Sequence, residues 1–199
     1  MAKIFCVANQ KGGVGKTTTT VNLAASLAAQ NQRVLVVDLD PQGNASMGSG
    51  IDKMGLEQSV YHVLIGMSDV AGARVKSETG GYDVLPANRD LAGAEVELVE
   101  LEQREELLKN ALAPVLSDYD FVLIDCPPAL SLLTLNGLCA ANGVIVPMQC
   151  EYFALEGLSD LVNTIKQVHA NLNPSLTIIG LLRVMFDPRT TLDRKSTRL

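Results

Sequence analysis

Short apolar runs alternate with stretches of helical periodicity along this chain. Six runs are mostly Val, Ile, Leu, Phe and Ala, as in strands of a buried sheet: residues 4–8, 33–38, 82–86, 121–125, 144–148 and 176–182. Three stretches place apolar side chains three and four positions apart, as in amphipathic helices: residues 18–29, 132–141 and 155–172. The alternation predicts an α/β fold, a doubly wound and mostly parallel sheet with helices on both faces.

Two regions between these runs have weaker patterns. Residues 56–76 predict short helices, and residues 40–44 (DPQGN) predict a loop that follows the second strand. Residues 91–116 predict a helical region in which four leucines form the inner stripe: Leu98, Leu101, Leu108 and Leu112. Six glutamates between residues 95 and 106 then belong to its solvated face.

Composition indicates one globular domain. The 199 residues are 47% hydrophobic and 19% charged, and no apolar run is long enough to cross a bilayer. The net charge of −6 argues against bulk attraction to DNA or anionic lipid, although a local basic patch stays possible. The four cysteines lack metal-site or redox-motif spacing, which favours buried, reduced thiols in a cytosolic protein: Cys6, Cys126, Cys139 and Cys150.

The run QKGGVGKT, residues 10–17, lies between the first predicted strand and the first predicted helix. Its three glycines allow backbone N–H groups to turn around an anion, and the helix start adds unpaired donors with a favourable dipole. Lys16 is placed to reach the β- and γ-phosphates, and the Thr17 hydroxyl to coordinate Mg²⁺. The sequence therefore predicts a nucleotide-binding P-loop.

A carboxylate ends the fourth apolar run. Residues 121–125 (FVLID) have the Walker B form, in which a buried strand carries an acidic residue at its carboxyl end. Doubly wound sheets bind ligands at that edge. Asp125 is therefore predicted to lie beside the P-loop.

The P-loop departs from the general pattern, because Gln10 stands where a glycine is usual and Lys11 precedes the glycine pair. This arrangement resembles the deviant Walker A loop of the ParA/MinD ATPases. Further runs resemble the ParA/Soj branch: VDLDPQGN (37–44), PAN (86–88), IDCPP (124–128), EYFALEG (151–157) and MFDPRT (185–190). The resemblance extends from residue 2 to about residue 192 and implies a P-loop NTPase fold.

The resemblance also implies site residues. The nucleotide is expected to contact the loop and the start of the helix, at Lys11, Gly12, Gly13, Val14, Gly15, Lys16, Thr17 and Thr18. Lys11 would reach across a dimer interface to the phosphates of the other subunit, adding a cation as an arginine finger does. Lys11, Lys16 and Asp40 are the expected catalytic residues, with Asp40 acting on the attacking water.

Three residues are expected around Mg²⁺. The resemblance places Thr17 in its coordination shell, Asp38 nearby, and Asp125 on the metal through a water molecule. Each carboxylate also has a purely structural interpretation, as a strand-end or turn residue. Gly43 and Asn44 are interpreted as loop geometry.

The implied function is a cytoplasmic, nucleoid-associated ATPase for chromosome or plasmid partition, with ATP and Mg²⁺ as cofactors. ATP would drive a sandwich homodimer that binds DNA non-specifically, and a ParB-type centromere-binding partner would stimulate hydrolysis. The alternatives are a MinD-like or other deviant Walker A ATPase that positions a different cargo, and an ATP-binding switch with little turnover. An iron–sulfur carrier is disfavoured because no second cysteine lies between residues 7 and 125.

The resemblance implies that residues 1–192 are one ParA-type domain lacking its C-terminal portion. The family's DNA-contacting residues and part of its adenine pocket belong to that portion, so no residues are assigned to either. Residues 193–199 (DRKSTRL) match one reading frame of a common sequencing adapter and are expected to be a non-native tail. The alternative is a genuine basic tail, which three cations and one acid support weakly. An uncovered sheet edge is expected.

Overall fold

A computed structural model of the chain describes residues 2–149, 154–186 and 189. A seven-stranded sheet runs in the order β3-β4-β2-β5-β1-β6-β7. The strands are β1 (Lys3–Val7), β2 (Val34–Asp38), β3 (Val75–Lys76), β4 (Asp83–Leu85), β5 (Phe121–Asp125), β6 (Gly143–Gln149) and β7 (Thr177–Val184). All neighbouring pairs are parallel except β3 and β4. This architecture confirms the predicted α/β fold.

Eight α-helices accompany the sheet in the described part of the chain. They are α1 (Lys16–Ala28), α2 (Asn44–Gly48), α3 (Val60–Leu64), α4 (Val70–Ala73), α5 (Leu91–Glu97), α6 (Leu107–Leu112), α7 (Leu132–Ala140) and α8 (Ala154–Asn171). Short 3₁₀ segments follow α5 (Leu98–Glu100) and α6 (Ala113–Asp118). None of the described helices is long and apolar enough to cross a membrane.

Both faces of the sheet are buried along the inner strands β2, β5, β1 and β6, as near-continuous apolar strands require. In β2, Val34 and Val36 pack with α1 and α2, whereas Leu35 and Val37 join the larger core on the opposite face. Successive strand residues point to opposite faces, so β1, β2, β4 and β5 each contribute to both clusters. The larger core also receives side chains from α5, α6, α7 and α8.

The region 91–116 differs from its prediction. The helix breaks after Glu97, and the chain has a left-handed residue at Gln103 (φ 51°) before α6 begins. Leu98, Leu108 and Leu112 are fully buried as predicted, but Leu101 is 39% exposed. Leu101 has extended backbone angles where the 3₁₀ segment ends, so helical spacing no longer determines its direction. The prediction that it belongs to the inner stripe was wrong.

Two short elements were not predicted from the sequence. Helix α2 begins at Asn44, inside the predicted loop 40–44, and β3 adds an antiparallel edge within the region 56–76 that predicted only helices. At the other end of the sheet, β7 is an edge strand among the described residues. Four of its aliphatic side chains are 41–56% exposed, namely Ile178, Ile179, Leu181 and Leu182.

Three cysteines are buried and form no disulfide: Cys6, Cys126 and Cys139. The sulfurs of Cys6 and Cys126 lie 3.1 Å apart, and their hydrogen bond together with burial raises the pKa of the Cys126 thiol. These contacts agree with the expected reduced thiols. Cys150, part of the run 151–157 and the tail 193–199 lie outside the described residues.

Candidate functional site

The P-loop connects the carboxyl end of the interior strand β1, which lies between β5 and β6, to the start of α1. Gly13 and Gly15 have left-handed backbone angles (φ 74° and 78°), which explains why glycine is favoured there. Asn9 fastens the start of the loop, because its Oδ1 accepts from Lys11 N (3.0 Å) and its Nδ2 donates to the Pro147 carbonyl (2.7 Å). The loop is therefore attached to β6 as well as to β1.

The P-loop helix and the Walker B strand meet directly. Parallel pairing places Val7 of β1 opposite Asp125 of β5, so the carboxylate lies beside the loop. The Thr17 hydroxyl donates to Asp125 Oδ2 at 2.7 Å, and the Thr20 hydroxyl donates to Oδ1 at 3.2 Å. Burial nevertheless raises the pKa of Asp125 to about 7, since few groups compensate its charge.

Lys16 is mostly buried at the start of α1. Its Nζ donates to the Lys11 carbonyl at 3.1 Å, so the ammonium group lies beneath the loop. Burial lowers the pKa of Lys16, while the nearby carboxylates of Asp125 and Asp40 favour its charged form. A buried ammonium group facing a loop of backbone donors is a strong binding arrangement for a polyanion.

Asp38 lies beside Asp125, in register on the neighbouring strand β2, and is fully buried. Its Oδ1 accepts from Asp40 N (3.1 Å), and its Oδ2 accepts from the backbone N (2.8 Å) and the hydroxyl (2.7 Å) of Ser46. Burial raises the pKa of Asp38 to about 6, and these bonds limit the rise. Both oxygens of this carboxylate are thus engaged by its own loop.

Asp40 is the carboxylate nearest the opening of the site. Its Oδ1 accepts from Gln42 N (2.9 Å) and its carbonyl accepts from Gly43 N (2.8 Å), which closes a tight turn. The turn ends at Gly43, which has a φ of 62° and directly precedes α2. Asp40 therefore projects from a short, internally bonded loop at the end of β2.

These elements enclose a cavity of about 630 Å³. Its lining residues are Gly12, Gly13, Gly15, Lys16, Thr17, Thr18, Asp40, Pro41, Gln42, Asn44, Pro127, Pro128 and Met185. Most predicted site residues line it, whereas Lys11 and Val14 belong to the same loop without lining the cavity. Asp38 and Asp125 lie behind it. The cavity's size suits a ligand of nucleotide class.

Three polar residues that shape this site were not predicted from the sequence: Asn9, Thr20 and Ser46. Thr20 carried a usable signal, because it follows Lys16 by one helical turn and so lies on the same face of α1, the face that meets Asp125. Ser46 and Asn9 gave no such signal, because neither lies in a predicted helix and their partners Ala87 and Pro147 are distant in sequence. Asn44, interpreted as loop geometry, lines the cavity.

The residues present fit a magnesium–nucleotide complex. No group of three or more His, Cys, Asp or Glu side chains suited to a metal occurs within residues 2–149, 154–186 and 189. Mg²⁺ bound with phosphates needs no such group, because it keeps several waters and takes only one or two protein ligands. The Thr17 hydroxyl, backed by Asp125 at 2.7 Å, is a ligand set of that kind.

The fold and the site together define the class. In this mostly parallel sheet, an interior strand leads into a glycine loop and a Lys-Thr helix start, and a carboxylate on the adjacent strand bonds that threonine. This combination defines a P-loop NTPase.

Comparisons with known proteins refine this class. A family model described as an AAA domain matches residues 2–178. The chain is 53% identical over 192 residues to the sporulation initiation inhibitor protein Soj of Bacillus subtilis, covering 96% of this chain and 76% of that protein.

Two solved structures resemble the chain over its whole length. One is a Mycobacterium smegmatis protein named cobyrinic acid a,c-diamide synthase, with a bound ATP analogue and magnesium (TM-score 0.95, 47% identity, 100% of this chain and 81% of that one). The other is a putative plasmid partition protein of Borrelia burgdorferi bound to AMPPNP (TM-score 0.86, 29% identity, 100% and 81%). With the Soj relationship, these findings show that the chain belongs to the ParA/Soj family of P-loop ATPases.

Proposed function

We propose that this chain binds ATP with Mg²⁺ in the P-loop cavity and hydrolyses it to partition chromosome or plasmid DNA. The observation that carries the proposal is the convergence of three strand ends on one site. The P-loop follows β1, Asp125 ends β5, and Asp40 follows β2, with Thr17 bonded to Asp125 at 2.7 Å. Relatives solved with an ATP analogue, AMPPNP or magnesium support the choice of ligand.

Each group has a role that its position supports. The ammonium group of Lys16 neutralises the β- and γ-phosphates, and the Thr17 hydroxyl binds Mg²⁺. Asp125 orients that hydroxyl and contacts the metal through water. Asp38 already accepts three hydrogen bonds. It therefore acts on the metal through its negative charge, from its position behind the cavity. Asp40, at the opening, orients or activates the attacking water.

Lys11 gives the proposal its assembly step. It is the lysine that distinguishes this loop from an ordinary P-loop, and its backbone is fixed by Asn9. We infer that its side chain reaches the nucleotide of a second subunit, so ATP bridges a sandwich dimer. The dimer then binds DNA non-specifically in the nucleoid of the cytoplasm, because pairing brings enough cations together. A ParB-type partner stimulates ATP hydrolysis, and hydrolysis releases the protein from DNA.

The name of the Mycobacterium structure suggests a different function, an amide synthase. We favour partition because one relative in sequence and one relative in structure are each named as partition proteins. The Myxococcus xanthus chromosome partitioning protein ParA is 50% identical over 192 residues, 96% of this chain and 68% of that protein. A synthase would also hydrolyse ATP only with its acyl and amine substrates, whereas a partition ATPase responds to DNA and its partner.

The test separates assembly from chemistry with two variants of the intact gene product. Lys11→Ala should still bind ATP but fail to form the ATP-dependent dimer, because opposed phosphates lose their bridging cation. Asp40→Ala should form that dimer and accumulate on DNA, because only hydrolysis is lost. Light scattering with Mg-ATP measures assembly. Lys109→Ala, which removes an exposed lysine paired with Glu106, is the control for charge alone.

A Lys11→Ala protein that dimerises like the Lys109→Ala control would remove Lys11 from the interface. An Asp40→Ala protein that releases phosphate at the wild-type rate would remove Asp40 from the chemistry. A wild-type protein that binds ATP and never turns it over, with DNA and partner present, would favour the ATP-binding switch.

A further inference from the structure

Ser46 is a fully buried serine in the short helix α2, outside the cavity. Its hydroxyl donates to Asp38 Oδ2 at 2.7 Å and accepts from Ala87 N at 2.9 Å. Its backbone N donates to the same Asp38 oxygen at 2.8 Å. This one residue therefore joins the two ends of a short loop, the end of β2 and the start of α2, to the segment after β4, which is 41 residues away in sequence.

These bonds close the loop that carries Asp40. Asp38 lies at the start of the loop and accepts from Asp40 N through its other oxygen at 3.1 Å. Ser46 lies at the far end and binds the same carboxylate. Asp38 and Ser46 thus form a clasp across the base of residues 38–46, the segment that carries Asp40.

The clasp is also fixed from outside. The Ala87 N–H reaches the Ser46 hydroxyl, while the Ala87 carbonyl lies so close to Gly43 that a Cβ there would be 2.7 Å from it. Pro86 in turn accepts from Val60 N at 2.8 Å, so the segment is anchored to α3. The base of the loop therefore packs against the segment after β4 rather than facing solvent.

We propose that Ser46 is the positioning residue for Asp40, acting through the clasp with Asp38 and the bond from Ala87. The inference rests on the proposed hydrolytic function and adds a residue to it. Removing the hydroxyl takes away one of three donors to Asp38 and leaves the buried Ala87 N–H without its acceptor. The loop then shifts, and a displacement of about 1 Å at a reacting group can cost about a hundredfold in rate.

Ser46→Ala should lower the kcat for ATP by at least about tenfold and leave KM within about twofold, because the P-loop is built on other strands. Ser46→Thr retains the hydroxyl and should restore most of the kcat. Ser49→Ala is the matched control. Ser49 is also buried and follows α2 directly, but its hydroxyl donates to Ala45 O (2.7 Å) and bonds the Tyr82 hydroxyl (2.9 Å) rather than Asp38.

Thermal unfolding of each variant accompanies the kinetics of the intact gene product. If Ser46→Ala does not unfold cooperatively, Ser46→Cys provides the test, since its thiol fills similar space and donates weakly. A kcat equal to that of Ser49→Ala, or a loss confined to KM, would overturn the proposal. An inactive wild-type protein would instead contradict the proposed function, so the two failures are distinguishable.

Discussion

Replacing Gly43 by alanine tests the packing beneath the Asp40 loop. Gly43 has a φ of 62°, a conformation that costs a residue with a Cβ about 1–2 kcal/mol. The added Cβ would also lie 2.7 Å from the Ala87 carbonyl and 3.1 Å from Lys53 Cδ. Lysine can move aside, but the backbone carbonyl cannot without disturbing the bond from Ala87 N to Ser46. Overpacking of this kind costs about 1–3 kcal/mol more.

We therefore expect Gly43→Ala to lower the free energy of unfolding by about 2–5 kcal/mol. Urea denaturation followed by circular dichroism measures it. Gly66→Ala is the matched control, because Gly66 is also left-handed (φ 76°) but a Cβ added there would meet nothing within 4 Å. It should show the conformational cost alone, about 1–2 kcal/mol. Equal losses of unfolding free energy in the two variants would refute the idea that the Ala87 carbonyl leaves no room for a Cβ at residue 43.

Three further predictions concern binding, pH and the core. Mg-ATP at a hundred times its dissociation constant should stabilise the intact protein by about 2.7 kcal/mol in thermal unfolding, and Lys16→Ala should abolish the gain; an unchanged gain would exclude Lys16 from the phosphates. The pKa of Asp125 is raised to about 7 in the folded chain, so the unfolded chain ionises first and ligand-free stability should fall as pH rises from about 4 to 7. Urea titrations at several pH values should show a shallower fall in Asp125→Asn, and parallel curves would contradict this assignment. Leu98→Ala should cost about 2–5 kcal/mol, whereas the half-exposed Leu101→Ala should cost less than about 1 kcal/mol, and comparable losses in urea would restore Leu101 to the core.

The site's components could be predicted because each has a local signature. A glycine-rich turn between an apolar strand and a helix defines the P-loop, and a carboxylate at a strand end defines Asp125. Parallel pairing of β1, β2 and β5 then brings these strand ends together. The fold class followed from the same alternation of strands and helices.

The supporting contacts could not be predicted from the sequence. Ser46 is a common residue in a polar run, and its importance depends on Ala87, which reaches it only through the pairing of β2 with β4. The prediction for Leu101 was wrong for the opposite reason. Its spacing fits a helix, but the helix had already ended, and a pattern of leucines does not show where a chain breaks.

The central claim is that this site hydrolyses ATP through Asp40. Its most direct test is phosphate release from Mg-ATP by the intact gene product and its Asp40→Ala variant, alone and with DNA and a ParB-type partner. The account predicts slow release by the wild type, faster release with DNA and partner, and little release by Asp40→Ala although it still binds ATP. Equal release by the two proteins under all conditions would contradict it.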